Sequence, residues 1–360
     1  MRVVSIFGTR PEMIKMWSTL KKLDDLNFEH IMVHTGQNHT PELRDFFFRD
    51  LELRKPDYEL NIDTSSYGKE VADVIVKSDE LFVKLKPDAL LILGDTYSGL
   101  SIMPATHRGI KTFHMEAGLR AWDVRMPEQR NRMLIDHMSS VLLPFNQYHR
   151  ENLMRENIHP SKIFVTGNPT FEVMRHFEPK IRDCDILKRL GLDKGGYVLV
   201  TAHRSENVDN PESLARIIYA LGEIAKHQKR EVIYPMHPRT KSKIGGMEIP
   251  AGVRIMAPLG FYDFNRLLAD SWCVISDSGT ASEEALFYKV PCVSLRMTTE
   301  RPETVESGGN IIAGLDPQNL IAAVETAVTQ PWGCRYDLNE DFTASSVVIN
   351  ALRSRITNFF

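Results

Sequence analysis

The sequence predicts an α/β protein with two doubly wound parallel sheets, one in each of two domains. Short apolar runs alternate with segments of helical periodicity, and this alternation is typical of βαβ units. The alternation restarts after residue 168, and 360 residues are enough for two domains. We expect an N-terminal domain over residues 1–168, a C-terminal domain over residues 169–343, and a last helix at about 344–360 that returns to the N-terminal domain.

Strands are predicted where apolar, β-branched residues cluster between turn residues. In the first half these runs are Arg2–Phe7, His30–His34, Ala89–Leu93, Thr112–His114, Ser140–Leu143 and Ile163–Val165. In the second half they are Tyr197–Val200, Val232–Pro235, Val253–Met256, Cys273–Ser276 and Cys292–Leu295. Two such domains facing each other would place the carboxyl ends of their strands on both walls of a cleft between them.

Composition and charge exclude several classes of protein. Apolar residues make up 42% of the chain and charged residues 25%, which is typical of soluble globular proteins and excludes wholesale disorder. The formal net charge of -3 argues against a nucleic-acid or anionic-membrane partner. The apolar runs are too short for a signal peptide or a membrane helix.

The four cysteines, Cys184, Cys273, Cys292 and Cys334, stand far apart and form no CxxC pair. We therefore expect neither a zinc site nor a disulfide framework, and a reducing cytoplasm as the location. The GxGxxG, HExxH and GxSxG motifs are absent, so no nicotinamide cofactor, metal or serine nucleophile is expected. The segment 183–185 resembles an Asp-x-Asp metal motif but lies in a charged loop, so no metal is assigned to it.

Polar residues follow the predicted strands directly. A single charged residue after a strand is usually a helix cap or a solvated turn, but here the pattern recurs at several strand ends. The residues are Arg10, Asp95, Glu116, His203, Ser278 and Gly279. Because ligands of open α/β sheets bind at the carboxyl ends of the strands, we predict a site there.

Two of these segments suit an anion. Gly8–Glu12 leads into a helix that carries Lys15, so Arg10 and Lys15 add positive charge to a helix N-terminus. The segment 277–284 offers small residues at a second helix start, where a diphosphate can approach the backbone N–H groups. Glu284 would then reach the ribose hydroxyls, although the same residues also fit a capping box.

Three carboxylates suit acid–base chemistry, namely Asp95, Glu116 and Glu128. Glu128 also fits a first-turn helix residue after Pro127, which is the structural alternative. His203 is the preferred catalytic histidine, because it can hydrogen-bond a developing phosphate charge. His237 is a second candidate histidine.

The motifs FGTRPExIK, LGDTxS, HMEAGLR, PExxNR, TGNP, TAHRxEN, SDSGxxxEE and TTERPE occur in this order. As a set they resemble the non-hydrolysing UDP-N-acetylglucosamine 2-epimerase family, over residues 3 to about 326. The resemblance implies a GT-B-like fold, a UDP-sugar substrate, no cofactor and a homodimer.

The resemblance also implies roles for individual residues. The acid–base carboxylates near the sugar would be Asp95, Glu116 and Glu128. The residues implied to bind the nucleotide or line the site are Arg10, Lys15, His203, Phe264, Ser278, Gly279, Thr280, Glu284 and Arg301. Arg301 would pair with Glu284 or with a phosphate.

The sequence departs from the common members of the family between Gly118 and Glu128. Its RMPEQRNR segment, with HTGQN and FF-x-DL, looks more like a branch that acts on 6-deoxy sugars such as UDP-N-acetyl-L-fucosamine. The same departure argues against the allosteric UDP-GlcNAc site of some bacterial members.

The expected reaction is inversion at C2 of a UDP-2-acetamido-2-deoxy sugar, by elimination and re-addition of UDP. Three alternatives stay open from the sequence: a hydrolysing epimerase that releases UDP and free sugar, a GT-B glycosyltransferase, and a module that only binds UDP-sugars.

Overall fold

The computed structural model describes residues 1–37, 45–123, 126–236, 238–330 and 343–354, without the side chains of residues 45–47, 238 and 239. The described residues form two compact units: residues 1–173 with 343–354, and residues 174–330. His237, Cys334, Asn38 of the HTGQN motif, Val124 and Arg125, the first residue of the RMPEQRNR segment, lie outside the described residues.

The first unit contains a six-stranded parallel sheet. Its strands are β1 (Arg2–Phe7), β2 (Glu29–His34), β3 (Tyr58–Glu59), β4 (Ala89–Leu93), β5 (Lys111–Met115) and β6 (Val141–Leu143). The helices are α1 (Arg10–Asp25), α2 (Asp45–Asp50), α3 (Tyr67–Leu85), α4 (Ile102–His107), α5 (Pro127–Met138) and α6 (Gln147–Arg155), and α7 (Pro169–Asp183) begins in this unit and continues into the second. Short 3₁₀ turns cover Tyr97–Ser101 and Pro160–Lys162.

The second unit repeats this architecture with a second six-stranded parallel sheet. Its strands are β7 (Tyr197–Thr201), β8 (Glu231–Pro235), β9 (Val253–Met256), β10 (Cys273–Ser276), β11 (Cys292–Ser294) and β12 (Asn310–Ile312). The helices are α8 (Ile186–Leu190), α9 (Ser205–Val208), α10 (Pro211–Gln228), α11 (Pro238–Lys243), α12 (Phe261–Ala269), α13 (Gly279–Tyr288), α14 (Pro302–Glu306) and α15 (Pro317–Thr329).

The two sheets have the same topology. The strand order is β3-β2-β1-β4-β5-β6 in the first and, read from the other edge, β9-β8-β7-β10-β11-β12 in the second. This is the Rossmann order, and it confirms the predicted α/β class with two doubly wound sheets. The strand order reverses between β1 and β4 and again between β7 and β10, so each sheet has a switch point there.

Helices cover both faces of each sheet, so the central strands are buried throughout. All five residues of β4 and all five of β7 are buried, which explains why these strands are unbroken apolar runs. One cluster in the first unit packs Val4, Ile92 and Phe82 together. A larger cluster in the second unit joins Val200 to the helix residues Leu221 and Val324.

The last described helix, α16 (Ala344–Arg353), belongs to the first unit. Lys22 of α1 donates a hydrogen bond to the Ser346 hydroxyl at 2.7 Å. The Ser345 hydroxyl donates to Glu172 at 2.5 Å, and the Arg353 guanidinium lies 3.8 Å from the centre of the Phe28 ring. These contacts fasten α16 to the rest of the first unit.

One predicted strand is wrong. Ile163–Val165 is not a strand: Ile163 forms only an isolated parallel bridge with Leu142, beyond the edge strand β6. Strands β3 and β12 are absent from the prediction, because two or three residues at a sheet edge give no readable periodicity.

Among the described residues, Cys184, Cys273 and Cys292 are free thiols. No helix in the described part of the chain is long and apolar enough to cross a membrane.

Candidate active site

The first unit carries its predicted site residues on the loops that leave its switch point. Arg10 follows β1, Asp95 follows β4, and Glu116 follows the next strand, β5. Parallel strands end at one edge, so the topology brings together residues that are about a hundred positions apart. Arg10 is the first residue of α1 and is half-buried there.

Lys15 and Glu116 form a buried ion pair at this edge. The Lys15 Nζ atom donates to Glu116 Oε2 at 2.5 Å, and both side chains are almost fully buried. The ammonium group also lies 5.6 Å from the centre of the Phe145 ring. Glu116 has a φ of +65°, a conformation that is uncommon for a residue other than glycine and is frequent at functional sites.

Arg132 joins this pair to Asp95. Its Nη2 atom contacts the Asp95 carboxylate and lies 3.5 Å from Glu116 Oε1. The side chain of Arg132 is buried, whereas that of Asp95 is 21% exposed. The result is a continuous row of alternating charges, from Lys15 through Glu116 and Arg132 to Asp95, in which the last carboxylate is partly exposed.

Glu128 occupies the first turn of α5, four residues before Arg132. This spacing places both side chains on one face of the helix. Burial raises the pKa of the Tyr97 hydroxyl, and the charges of Glu70 and Glu128 add to the effect. The charge of Glu128 thus acts on the 3₁₀ turn that follows Asp95.

Glu12 links the β1 and β4 loops from inside the unit. Its Oε2 atom accepts the backbone N–H groups of Gly8 and Thr9, at 3.0 and 2.8 Å, and its Oε1 atom accepts the Thr96 hydroxyl at 2.8 Å. Burial raises the pKa of Glu12 to about 7, although these hydrogen bonds act in the opposite direction. The carboxyl group thus fixes the residue that follows Asp95 to the loop that precedes Arg10.

The second unit has an equivalent switch point, where His203 follows β7 and Ser278 follows β10. The buried Asp277 carboxylate accepts the backbone N–H groups of His203 and Arg204, at 3.0 and 2.9 Å, and the Asn207 amide at 3.0 Å. The His203 imidazole is 41% exposed, with its Nδ1 atom 3.5 Å from Asp277 Oδ1. Asp277 holds the β7 loop so that the imidazole faces solvent.

Helix α13 begins directly beside this histidine. Ser278 is its N-cap and accepts the Ala281 N–H at 3.4 Å, and the Ser282 N–H bonds back to the Ser278 carbonyl at 3.3 Å. Gly279 and Thr280 precede that first intrahelical bond, so their N–H groups lie at the positive end of the helix dipole. This end of α13 is suited to a diphosphate.

Arg301 lies against the backbone of Gly279. A Cβ atom at position 279 would come within 2.2 Å of Arg301 Nη1. The guanidinium pairs with Glu283 at 2.8 Å and with Glu300 at 2.5 Å, and Arg296 pairs with Glu300 at 2.5 Å. Burial opposes the charge of Glu300, but these arginines and Arg204 hold its pKa well below its usual range.

The remaining predicted residues lie on α12 and α13. Glu284 is buried. Burial is the main cause of the raised pKa of the Tyr288 hydroxyl, and the charges of Glu178 and Glu284 add to the effect. Phe264 is half-buried and packs against a cluster that includes Ala285 of α13. No group of three or more His, Cys, Asp or Glu side chains within the described ranges could hold a metal ion.

Several structurally important residues were not among the predicted site residues. Arg132 stands within the PExxNR motif, and its role depends on two strand ends that the sequence does not show to be adjacent. Glu12 had a readable signal, since it stands three residues after Thr9 in the pattern of a capping box. Asp277 also had a readable signal in the sequence, because it follows β10 directly.

The comparison with protein families shows which family the chain belongs to. The family model described as UDP-N-acetylglucosamine 2-epimerase matches residues 21–345. The chain belongs to this family. The match spans both units, so both of the sheet edges described above are part of a UDP-N-acetylglucosamine 2-epimerase family member.

Individual members of the UDP-N-acetylglucosamine 2-epimerase family are also similar. The UDP-N-acetylglucosamine 2-epimerase of Methanococcus maripaludis is 37% identical over 331 residues, covering 89% of this chain and 90% of the relative. The crystal structure of the Methanocaldococcus jannaschii UDP-GlcNAc 2-epimerase in complex with UDP-GlcNAc and UDP superimposes with a TM-score of 0.92 at 33% identity, covering 98% of this chain and 99% of that one.

A third relative differs in its substrate. The UDP-2,3-diacetamido-2,3-dideoxy-D-glucuronate 2-epimerase of Pseudomonas aeruginosa is 32% identical over 333 residues, covering 91% of this chain and 92% of the relative. The sugar therefore varies within the UDP-N-acetylglucosamine 2-epimerase family.

Proposed function

We propose that the chain inverts C2 of a UDP-2-acetamido-2-deoxy sugar without net hydrolysis. The observation that carries the proposal is the row of charges from Lys15 through Glu116 and Arg132 to Asp95, at the switch point of a family member. In this row the partly exposed Asp95 carboxylate stands beside buried cations, which suits proton transfer next to a phosphorylated sugar.

The chemistry requires UDP to leave before the proton moves. The C2 hydrogen is poorly acidic, but departure of UDP gives C1 positive character and makes this hydrogen removable. A carboxylate takes the proton, a glycal-type intermediate forms, and a proton returns to the opposite face of C2 before UDP adds back. Asp95, Glu116 and Glu128 are the proposed acid–base groups, and each positioned group contributes roughly 10²–10⁴-fold.

The second unit is proposed to hold the UDP. The start of α13 at Ser278, Gly279 and Thr280 would bind the diphosphate, together with the exposed His203 imidazole. Arg10 is a further proposed ligand of the diphosphate. Glu284 would accept the ribose hydroxyls, and Phe264 would lie near the uracil.

In this proposal Lys15 and Arg301 act mainly through their partners. Lys15 neutralises Glu116, and Arg301 supports the α13 start at Gly279. Their burial argues for a supporting role alongside any direct contact with the substrate.

The sugar is proposed to be an N-acetylated UDP-hexosamine or its 6-deoxy analogue. The names of relatives include UDP-N-acetylglucosamine and a diacetamido glucuronate, and the RMPEQRNR segment favours a 6-deoxy sugar. We further propose a cytoplasmic homodimer that supplies precursors of a surface polysaccharide, such as a capsule or lipopolysaccharide.

The deciding experiment is incubation with a panel of UDP-sugars in D₂O, followed by NMR of the products. The panel contains UDP-N-acetylglucosamine, its 2-epimer and the 6-deoxy pairs. Deuterium at C2 in intact UDP-sugar of both configurations is the expected result, and it identifies the substrate at the same time.

The same spectra separate the alternatives. Free sugar with UDP would indicate a hydrolysing epimerase. Transfer to an acceptor without C2 exchange would indicate a glycosyltransferase. Binding without exchange for any sugar in the panel would leave only a UDP-sugar-binding module and would overturn the proposal.

A further inference from the structure

We infer that His114 is a positioning residue that locks the Asp95 loop to helix α5 by donating a hydrogen bond from each of its ring nitrogens. The inference rests on the proposed function in one respect only, the catalytic use of Asp95. The geometry of His114 is independent of any activity.

His114 lies on β5, two residues before Glu116, and is completely buried. Its Nε2 atom lies 2.8 Å from the carbonyl oxygen of Gly94, the residue before Asp95. Its Nδ1 atom lies 2.8 Å from Oδ1 of Asp136, on α5. One imidazole thus spans from the end of β4 to α5.

Both partners of the imidazole are acceptors. A peptide carbonyl has no proton to give. Asp136 also receives Arg120 Nη2 at 2.8 Å and the Gly118 N–H at 3.1 Å, both of which favour the carboxylate. His114 therefore has to supply a proton at each nitrogen, and the ring is an imidazolium that balances a buried carboxylate.

The two hydrogen-bond partners of His114, Gly94 and Asp136, lie next to Asp95 and one helical turn from Arg132, so they position both sides of the Asp95–Arg132 contact. Gly94 has a φ of +73° and turns the chain so that Asp95 leaves the sheet. Asp136 stands one helical turn after Arg132, whose guanidinium contacts Asp95. A shift of either partner would move the Asp95 carboxylate relative to Arg132 and Glu116.

Amide substitutions at His114 separate its two hydrogen bonds. In His114→Asn the amide nitrogen takes roughly the place of Nδ1 and loses the Gly94 contact. In His114→Gln it takes roughly the place of Nε2 and loses the Asp136 contact. The exposed His107, at the end of α4 in the same unit, provides matched His107→Asn and His107→Gln controls.

We expect both His114 variants to lower kcat for C2 exchange by about 10²-fold, because small displacements of a catalytic group have effects of this size. KM and UDP affinity should stay within about twofold, since His114 touches none of the groups proposed to bind UDP. A His114 variant with the kcat of the His107 controls would overturn the inference. A parallel loss of UDP binding and thermal stability would do so as well, since it indicates a purely structural role.

A second readout does not depend on activity, because it reports the hydrogen-bond pattern in the wild-type protein. Ring-¹⁵N histidine NMR of the wild-type protein should show one imidazole with both nitrogens protonated that exchanges slowly with water. Its disappearance in either His114 variant assigns it, and an unprotonated nitrogen in the His114 ring would overturn the inference. If the wild-type protein exchanges no C2 hydrogen, the proposed function fails while this NMR test still decides the hydrogen-bond pattern.

Discussion

The Nζ atom of Lys15 lies 2.5 Å from the Oε2 atom of Glu116, and both side chains are buried in the first unit. Desolvation of two charges is costly, and their attraction offsets it only while both partners are present. Lys15 is expected to line the site and Glu116 to transfer a proton. The ion pair means that each also depends on the other for stability.

Removing one member of this pair should destabilise the first unit more than removing both. We expect Lys15→Met alone to lower the free energy of unfolding by up to about 3–5 kcal/mol, because the buried Glu116 carboxylate then loses Lys15 and keeps its longer contact with Arg132, at 3.5 Å. The double variant Lys15→Met with Glu116→Gln should recover most of this loss. Urea unfolding followed by circular dichroism measures both effects, and strict additivity of the two single substitutions would contradict the coupling.

Asp95→Asn should abolish epimerisation while leaving UDP binding intact. The substitution keeps the shape of the side chain but removes a proton acceptor, so kcat should fall by roughly 10²–10⁴-fold. Exchange of the C2 hydrogen in D₂O gives the rate, and titration calorimetry gives the affinity for UDP. Asp79→Asn, at a surface ion pair with Arg108, is the matched control. Wild-type turnover of the Asp95 variant would refute its assignment.

Glu12 should make the protein less stable as the pH rises. Its pKa is raised from 4.5 to about 7, so between these values the folded protein holds a proton that the unfolded chain has lost. The stability contributed by this proton is complete below pH 4.5 and is lost as the pH approaches 7. Glu12→Gln should therefore gain stability relative to wild type between pH 4.5 and 7, by up to about 3 kcal/mol.

The measurement for Glu12 is urea unfolding at a series of pH values. The exposed Glu80→Gln on α3 serves as the control and should run parallel to wild type. A difference between Glu12→Gln and wild type that is independent of pH would show that Glu12 is charged throughout the range.

Gly279→Ala should weaken UDP binding by displacing Arg301. The added methyl group would lie 2.2 Å from Arg301 Nη1 and 2.6 Å from Cζ, so the guanidinium has to move away from Glu283 and Glu300. We expect UDP affinity to fall roughly tenfold. This loss corresponds to about one charge-assisted hydrogen bond, which contributes about 1.5–3 kcal/mol. Gly245→Ala is the control, since no atom lies within 4 Å of its added Cβ. Equal affinities for the two variants would contradict the role of Arg301.

The central strands could be predicted because burial on both faces leaves long apolar runs. Arg2–Phe7, Ala89–Leu93 and Cys273–Ser276 are central strands with the predicted bounds, and the edge strand Val253–Met256 also has its predicted bounds. Prediction failed at two other sheet edges: β3 has only two residues, and the predicted strand Ile163–Val165 pairs only through an isolated bridge at Ile163. At an edge, pairing depends on the neighbouring strand more than on local sequence.

The sequence could predict which residues stand at strand ends, but not which groups hold them there. Arg301 was expected beside Glu284 or a phosphate, and the structure pairs it with Glu283 and Glu300. Neighbouring glutamates on one helix point in different directions, and the choice between them depends on packing. Arg132 and His114 were similarly hidden, because their partners come from other strands and helices.

The position of α16 has a consequence for biosynthesis. The second unit is continuous along the chain, whereas the first needs α16, which is translated after the whole of the second. A ribosome thus releases the C-terminal Rossmann sheet in one piece while α1 still lacks its covering helix. Nascent chains should expose the surface of α1 that α16 covers until residues 344–353 have been synthesised, and that surface is then accessible to a chaperone.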